Sequence, residues 1–419
     1  MAVVGANQRT TERNLFSLFT GTILICWVAF VVGFWIFFVL AMVASYGIFD
    51  WVGYDYAPFW AAGRAVLLYG PAASYDLDTL ARLAQPLTAA LGPKSTGLAV
   101  APGLYPPIFF VLLAPFALLP GPMSFVLWTV TQVALAVYVV GSLATRFHAR
   151  RILIAIGSFF FFGQSTVLPL VALHEAYRNF ERGREFRAGL WLGTLFIKPQ
   201  YALIFPLILL YKRRWRALGG MVAVLIPLAL TTLLFLGPEG LENYRALSNS
   251  YSGFRHNYLS VHPQDMINRR GVLVNLFPDL SESGGQALTL GLSALTATLL
   301  FPVWRGRWEP TGQRFPVQIL ATTLIVLLTA YHSHIHGAAL LLVPGMVVVA
   351  RDAGSRILRW TLCSGLFALP LCFAVLLAAA SLSEAWKGVL RASTCFLVIG
   401  LVVSMWDFTR VPRCFLHDD

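Results

Sequence analysis

Charge is scarce in this chain. Only 12% of its 419 residues are Asp, Glu, Lys or Arg, against 58% that are hydrophobic. Soluble domains carry about twice that charged share, so a soluble enzyme or binding module is excluded and a polytopic membrane protein is expected. Cysteine is sparse too: Cys26, Cys363, Cys372, Cys395 and Cys414 fall in apolar stretches or the tail, which excludes a disulfide framework and zinc-ligand spacing. No basic run is long enough to follow a phosphodiester backbone. The net charge of +12 therefore marks loops on one side of a bilayer, and nucleic acid is not an expected partner. The N-terminus lacks the charged start, short apolar core and small-residue cleavage site of a secretory signal, so the first apolar run, 18–49, is expected to remain as a span.

What the chain does have is a series of apolar runs separated by small charged clusters. Arg9 and Arg13 precede the first run, which by the positive-inside rule puts the N-terminus in the cytoplasm and loop 50–104 outside. That loop holds four acids and three bases. It opens with GYDYAPFWAAGRAVLLYGPAASYD, read as a helix lying along the surface with Phe59, Ala62, Val66 and Tyr69 on one face. DLDTLARLAQPLTAAL follows as a second short helix, capped by Asp76 or Asp78.

The run LYPPIFFVLLAPFALLP has proline at both ends and reaches about 22 Å as a helix, short of a hydrocarbon core of about 30 Å. Full spans are expected at 123–145 and 217–236. Further apolar runs lie at 152–162, 167–177, 287–304, 315–330, 338–350, 360–382 and 389–405. The clusters RFHARR, ERGREFR, KRRWR, RGRWEPTGQR and RDAGSRILR read as cytoplasmic, as does the C-terminal tail. Loop 237–282, with five acids and four bases, is a second outer loop. Three apolar runs separate loop 50–104 from the segment at 167 where an even number of crossings is required. Keeping RFHARR cytoplasmic makes the run after Leu104 re-entrant; letting that run cross leaves 152–162 on the outer face. Charge favours the first. The expectation is one integral membrane domain over 1–419, an all-α bundle of about ten to thirteen spanning or half-spanning helices with helical outer loops.

The stretch between ERGREFR and KRRWR must enter the membrane and return, which makes Lys198-Pro199 the tip of a broken hairpin. Such a break is tolerated only where its backbone lines a cavity. Asp55, Lys198 and the histidines of TAYHSHIHG (His332, His334 and His336) are all expected at the outer face. An acid beside cations there suits transfer of a sugar from a lipid phosphate: the leaving group is already a stable anion, so the reaction needs a base and positive charge but no general acid. Each residue has a plainer reading. Asp55 can cap its helix, Lys198 can snorkel to an interface, and the histidines can contact phosphate or hold a metal. Asp76-Leu77-Asp78 matches the DxD of nucleotide-sugar enzymes, but its outer position and place at a helix start favour a cap. Arg64 can hold the Asp55 carboxylate, touch phosphate or form a surface ion pair. Gln164, in the polar break FFGQST, can meet a sugar hydroxyl or loop backbone. Arg255, His256, Gln264 and Arg270 are further candidates in the second outer loop.

In order, YDYAPFWAAGRAVLLYGPAASYD, YPPIFFVLLAPFALLP beginning at Tyr105, the GQ of FFGQST, and AGLWLGTLFIKPQ followed by RRWRA resemble glycosyltransferase family 87 over about residues 50–220. This family comprises polyprenyl-phosphate-sugar-dependent transferases with a GT-C membrane fold, mannosyltransferases of actinobacterial glycolipids among them. The resemblance implies that Asp55 is the catalytic base and that a later outer-loop histidine stands near the lipid phosphate. His334 is the best match, with His332 or His336 as alternatives. The Ser-Pro that often precedes that loop is absent from LTAYHSHIH, and beyond 240 the similarity thins.

The expected activity is an inverting, metal-independent transfer of a hexose, mannose by resemblance, from a polyprenyl-phosphate donor to a glycolipid or glycan acceptor. Asp55 would be catalytic, and Arg64, Tyr105, Gln164, Lys198, Arg270, His332, His334 and His336 would bind substrate. A bacterial inner membrane with a periplasmic site fits the composition. The alternatives are a non-catalytic flippase or exporter of lipid-linked sugars and a polymerase or ligase using diphosphate-linked glycans.

Overall fold

The computed structural model describes residues 56–90, 103–146, 165–255, 263–362 and 382–410. The apolar runs 18–49 and 152–162, most of 360–382, and the candidates Asp55, Gln164 and His256 lie outside the described residues. The helices are α1 (Ala57–Tyr69), α2 (Leu77–Ala90), α3 (Pro107–Leu113), α4 (Gly121–Arg146), α5 (Val167–Glu181), α6 (Glu185–Thr194), α7 (Ile204–Tyr211), α8 (Trp215–Ser252), α9 (Arg269–Leu276), α10 (Glu282–Ala297), α11 (Arg314–Thr329), α12 (Leu342–Ala350) and α13 (Leu382–Arg410). Among the described residues, β pairing is confined to one isolated bridge, Met266 with His334. Four segments, Gly121–Arg146, Trp215–Asn249, Glu282–Val303 and Leu390–Thr409, are long and apolar enough to cross a bilayer. The chain is an all-α membrane protein. At its centre α11 is buried along its length from Phe315 to Leu328. Its polar side chains are matched there: Gln318 donates to the Val303 carbonyl (2.9 Å), and Thr322 accepts from the Trp304 indole (2.9 Å).

The charged clusters gather at one end of the bundle. Glu181, closing α5, pairs with Arg146 at the end of α4 (2.5 Å) and with Arg351 just after α12. Arg214 meets Glu185 at 3.1 Å, and Lys212 donates to the carbonyls of Trp304 (3.1 Å) and Gly306. Since Glu185 opens α6 and Arg214 precedes α8, the chain between them leaves this end and comes back to it. α6 spans about 15 Å and α7 about 12 Å, so each is a half-helix. Between them lie the 3-10 turn Leu195–Ile197, Lys198 at φ −119° and ψ 82°, and the single turn Pro199–Ala202. Proline at the first position of that turn gives up no hydrogen bond.

Glycine lets α6 lie directly on the first turns of α8. A Cβ on Gly189 would strike the Ala217 carbonyl, and one on Gly220 the Phe186 carbonyl. Small residues at such crossings bring backbones close where no hydrophobic effect drives helices together.

The opposite end carries the helices of the segments on either side of α3, together with the second half of α8. α1 packs with α3, and Gly63 admits the Ala117 side chain between them. Trp60 donates to the Leu119 carbonyl (3.0 Å) and the Tyr56 hydroxyl meets Ser124 at 2.6 Å. The run after Leu104 forms only seven helical residues, Pro107–Leu113, before breaking at Ala114-Pro115, and it ends beside α1, where it began. The buried face of α1 is Ala57, Phe59, Ala61, Ala62 and Ala65, with Val66 partly buried. Tyr69, expected on that face, is 65% exposed. The last turn runs beyond the aromatic cluster that covers the rest, and Gly70, at φ 91°, ends the helix. α2 starts at Asp76, whose carboxylate accepts from Thr79 Oγ1 (2.5 Å) and Asp78 N (3.1 Å), so the DxD is used as a cap. Lastly, α8 is two helices: Gly237, at φ 59° and ψ −170°, separates an apolar stretch long enough to span from a second helix that packs Tyr244 edge-on to Tyr75 (5.2 Å).

Gly189→Ala is expected to cost about 1–3 kcal/mol through overpacking. Gly219→Ala, with open space at its Cβ, should be neutral or stabilising by up to about 1 kcal/mol. Thermal unfolding of the two purified variants checks this, and equal melting temperatures would refute the close crossing. Asp76→Ala should cost about 1 kcal/mol. The Thr79 hydrogen bond holds the Asp76 carboxyl below its ordinary value, so this contribution is complete above about pH 4 and lost as pH falls through the lower folded value. Unfolding compared at neutral and acid pH should show the gap between wild type and variant closing in acid.

Candidate active site

Lys198 is 3% exposed, buried at the hairpin tip. The local backbone accounts for its position. Its N–H bonds to Leu195 O (2.8 Å), its carbonyl accepts from Tyr201 N (3.0 Å), and the break between the two turns turns the side chain toward α5. There Lys198 Nζ donates to Thr166 Oγ1 at 3.3 Å and stands 5.6 Å from the centre of the Tyr105 ring. The Tyr105 hydroxyl meets Ser165 Oγ at 2.7 Å. Phe59 of α1 lies edge-on to the other side of the cluster, 5.3 Å from Tyr105. An ammonium taken out of water is tolerated when hydroxyls and an aromatic face replace part of its hydration.

The histidine run reaches the same place from the far side. Tyr201, one turn beyond Lys198, is 1% exposed, and its hydroxyl lies against Gly337 of the histidine turn. His336 is within electrostatic reach of Lys198, and its ring stacks on His334 with centroids 5.7 Å apart. His334 in turn forms the bridge to Met266, while Ile267 N donates to Ser333 O at 2.9 Å. Lys198, Tyr105, His334 and His336 are thus brought together from segments far apart in the chain, and their cluster is the candidate active site.

His332 and Arg270 form an adjoining pair. Arg270, 1% exposed, places Nη1 3.3 Å from His332 Nδ1. Burial first, and the Arg270 charge second, push His332 down to about 3, so the ring is neutral at physiological pH. Burial also lowers the Arg270 guanidinium from its ordinary value. Arg64 stands apart: it donates to the Ala117 carbonyl at 3.2 Å, tying α1 to the turn Phe116–Leu118. Arg255 closes the second outer loop through Leu280 O and through its own N–H to Glu282 (3.1 Å), and Gln264 contributes its carbonyl to Asn275 (2.9 Å). Among the described residues, no three His, Cys, Asp or Glu side chains are grouped as metal ligands. Asp55 lies one residue before Tyr56, the first residue described.

Four contributors were not picked out from the sequence. Ser165 and Thr166 sit in the polar break FFGQST, where only Gln164 drew notice. Asn268 is fully buried; it caps α9 by accepting from Gly271 N (3.0 Å) and donates to the carbonyls of Ala330 (2.6 Å) and Tyr331 (3.1 Å). An Asn just before a short amphipathic run is a readable cap signal. Tyr201 had no local signal at all.

A family model for glycosyltransferase family 87 matches residues 104–330, more than half of the chain. The match takes in Tyr105, Gln164, Lys198 and Arg270, stops two residues before His332, and reaches further toward the C-terminus than the motif resemblance does. No curated protein and no solved structure matches the chain. With a buried lysine, paired hydroxyls and a histidine turn meeting at a broken membrane hairpin, and with that span of the sequence matched, the chain belongs to glycosyltransferase family 87.

Proposed function

We propose that the protein transfers a hexose, mannose by family resemblance, from a polyprenyl-phosphate donor to a hydroxyl of a glycolipid or glycan acceptor, with inversion, at the outer face of a bacterial inner membrane. The observation that carries this reading is the buried Lys198 ammonium at the hairpin tip, held by the Thr166 hydroxyl and the Tyr105 ring and faced by the histidine turn. A cation held in a low-dielectric cluster stabilises a developing phosphate far more than one in water does.

The acceptor oxygen attacks the anomeric carbon, the bond from that carbon to the phosphate oxygen breaks, and polyprenyl phosphate leaves with the electron pair. Asp55 takes the acceptor proton, Lys198 neutralises the departing phosphate, and His334 and His336 hydrogen-bond it. Asp55 precedes the helix whose Phe59 packs on Tyr105 beside Lys198, which supports its role as base. Gln164, adjacent to Ser165, is assigned to a sugar hydroxyl. Because the leaving group is an anion, neither a general acid nor a metal ion is needed.

The protein in vesicles, given a labelled polyprenyl-phospho-hexose and a lipid acceptor extract, should release free polyprenyl phosphate with or without EDTA. A carrier that only moves the lipid-linked sugar would release none. Asp55→Asn should fold and insert normally but lose about 10²–10⁴-fold in rate, the usual contribution of a general base. Retention of most activity would remove Asp55 from that role. Lys198→Met should lose about 10²–10³-fold, and a loss under threefold would take Lys198 off the phosphate.

A further inference from the structure

The three histidines of the turn differ in what surrounds them. Arg270 can only donate hydrogen bonds, so the His332 Nδ1 that faces its Nη1 at 3.3 Å must carry the lone pair. The single proton of the neutral ring is then on Nε2. On its other side the Tyr251 ring stands edge-on to the imidazole, 5.7 Å away. His332 is therefore held between the Arg270 guanidinium at Nδ1 and the rings of Tyr251 and Tyr331.

The groups around His332 share one target. The carbonyls at and just beyond the C-terminus of α8 have no helical partners. Ser252 O receives the Tyr331 hydroxyl at 2.6 Å and Gln286 Nε2 at 3.0 Å. Gly253 O receives Arg270 Nη2, and Phe254 O receives Arg270 Nε at 3.2 Å. The guanidinium also stacks on Tyr331 at 4.6 Å. A cation at a helix C-terminus is favoured by the partial negative charge there. Two turns before this point Tyr244 of α8 packs on Tyr75, and Tyr75 donates to Tyr105 O.

We propose that His332, with Arg270 and Tyr331, is a positioning latch that caps the C-terminus of α8 and so holds the turn carrying His334 and His336 against Lys198. His332 does not contact the donor phosphate. The assignment of a positioning role rests on the reading of the Lys198 cluster as the donor site. The latch itself is a statement about the protein alone and can be tested without substrate.

Amide hydrogen exchange on the full-length protein is the direct measurement. His332→Ala should speed exchange at least about tenfold in peptides covering 266–276 and 330–336, and should lower kcat/KM about ten- to a hundredfold, as expected when a partner of a charged donor is removed. His332→Asn retains an oxygen where Nδ1 accepts from Arg270 and should bring both quantities back to within about threefold of wild type, with an unchanged pH–rate profile. His334→Asn and His336→Asn should lower kcat while leaving exchange in those peptides as in wild type. If His332→Ala does not fold, Tyr331→Phe removes one cap bond only and should speed the same peptides by a smaller factor. Native exchange in both His332→Ala and Tyr331→Phe would overturn the latch. So would a His332→Asn variant with native exchange that is as inactive as His332→Ala, because the imidazole would then act on substrate. If wild type releases no polyprenyl phosphate, the proposed reaction fails while the exchange comparison still decides the latch.

Discussion

A helix that stops inside a membrane leaves backbone groups that neither lipid nor water can satisfy, and the chain around Lys198 is organised by that constraint. The break between α6 and α7 is tolerated because the 3-10 turn, Pro199 and Tyr201 use up the freed groups locally, and because α5, the Tyr105 segment and the histidine turn enclose what remains. The same enclosure keeps an ammonium out of water at a depth where it would otherwise be expelled. Local backbone economy and electrostatics are therefore one problem here: whatever seals the tip also builds the cluster.

The two ends of the bundle solve different problems. At one end, Glu181 stands between two arginines and Glu185 answers Arg214, so excess positive charge is gathered and partly neutralised where the half-helices begin and finish. At the other, aromatic packing around Tyr56, Phe59, Tyr75 and Tyr105 does the holding. The hairpin is fixed at its base by an ion pair and glycine contacts, and at its tip by hydroxyls and rings. Positional precision at Lys198 depends on both.

Much of this was legible in the residues alone, for identifiable reasons. Apolar runs and charged clusters report membrane crossings directly, because the bilayer imposes length and excludes charge; hence the spans and the return of the chain at Lys198-Pro199. The Asp76 cap was readable because capping is local. Tyr69 was misplaced because helical spacing says which residues share a face but not how far the covering surface extends. Tyr201, Asn268 and the capping role of Arg270 were hidden for a different reason. Each meets a partner that folding alone brings within reach, Tyr201 against Gly337, Asn268 on the Ala330 carbonyl and Arg270 on the Gly253 carbonyl, and no spacing rule encodes such a meeting.

The break at Gly237 has a mechanical meaning. Its φ of 59° and ψ of −170° lie in a region essentially reserved for glycine, and they uncouple the two halves of α8. The lower half faces lipid with Val222, Ile226, Leu230, Leu233 and Leu234 and must adjust its inclination to the thickness of the surrounding bilayer. A bend at this position gives the span and the helix after it separate inclinations, so the direction in which Tyr244 is presented to Tyr75 is set apart from the tilt of the span.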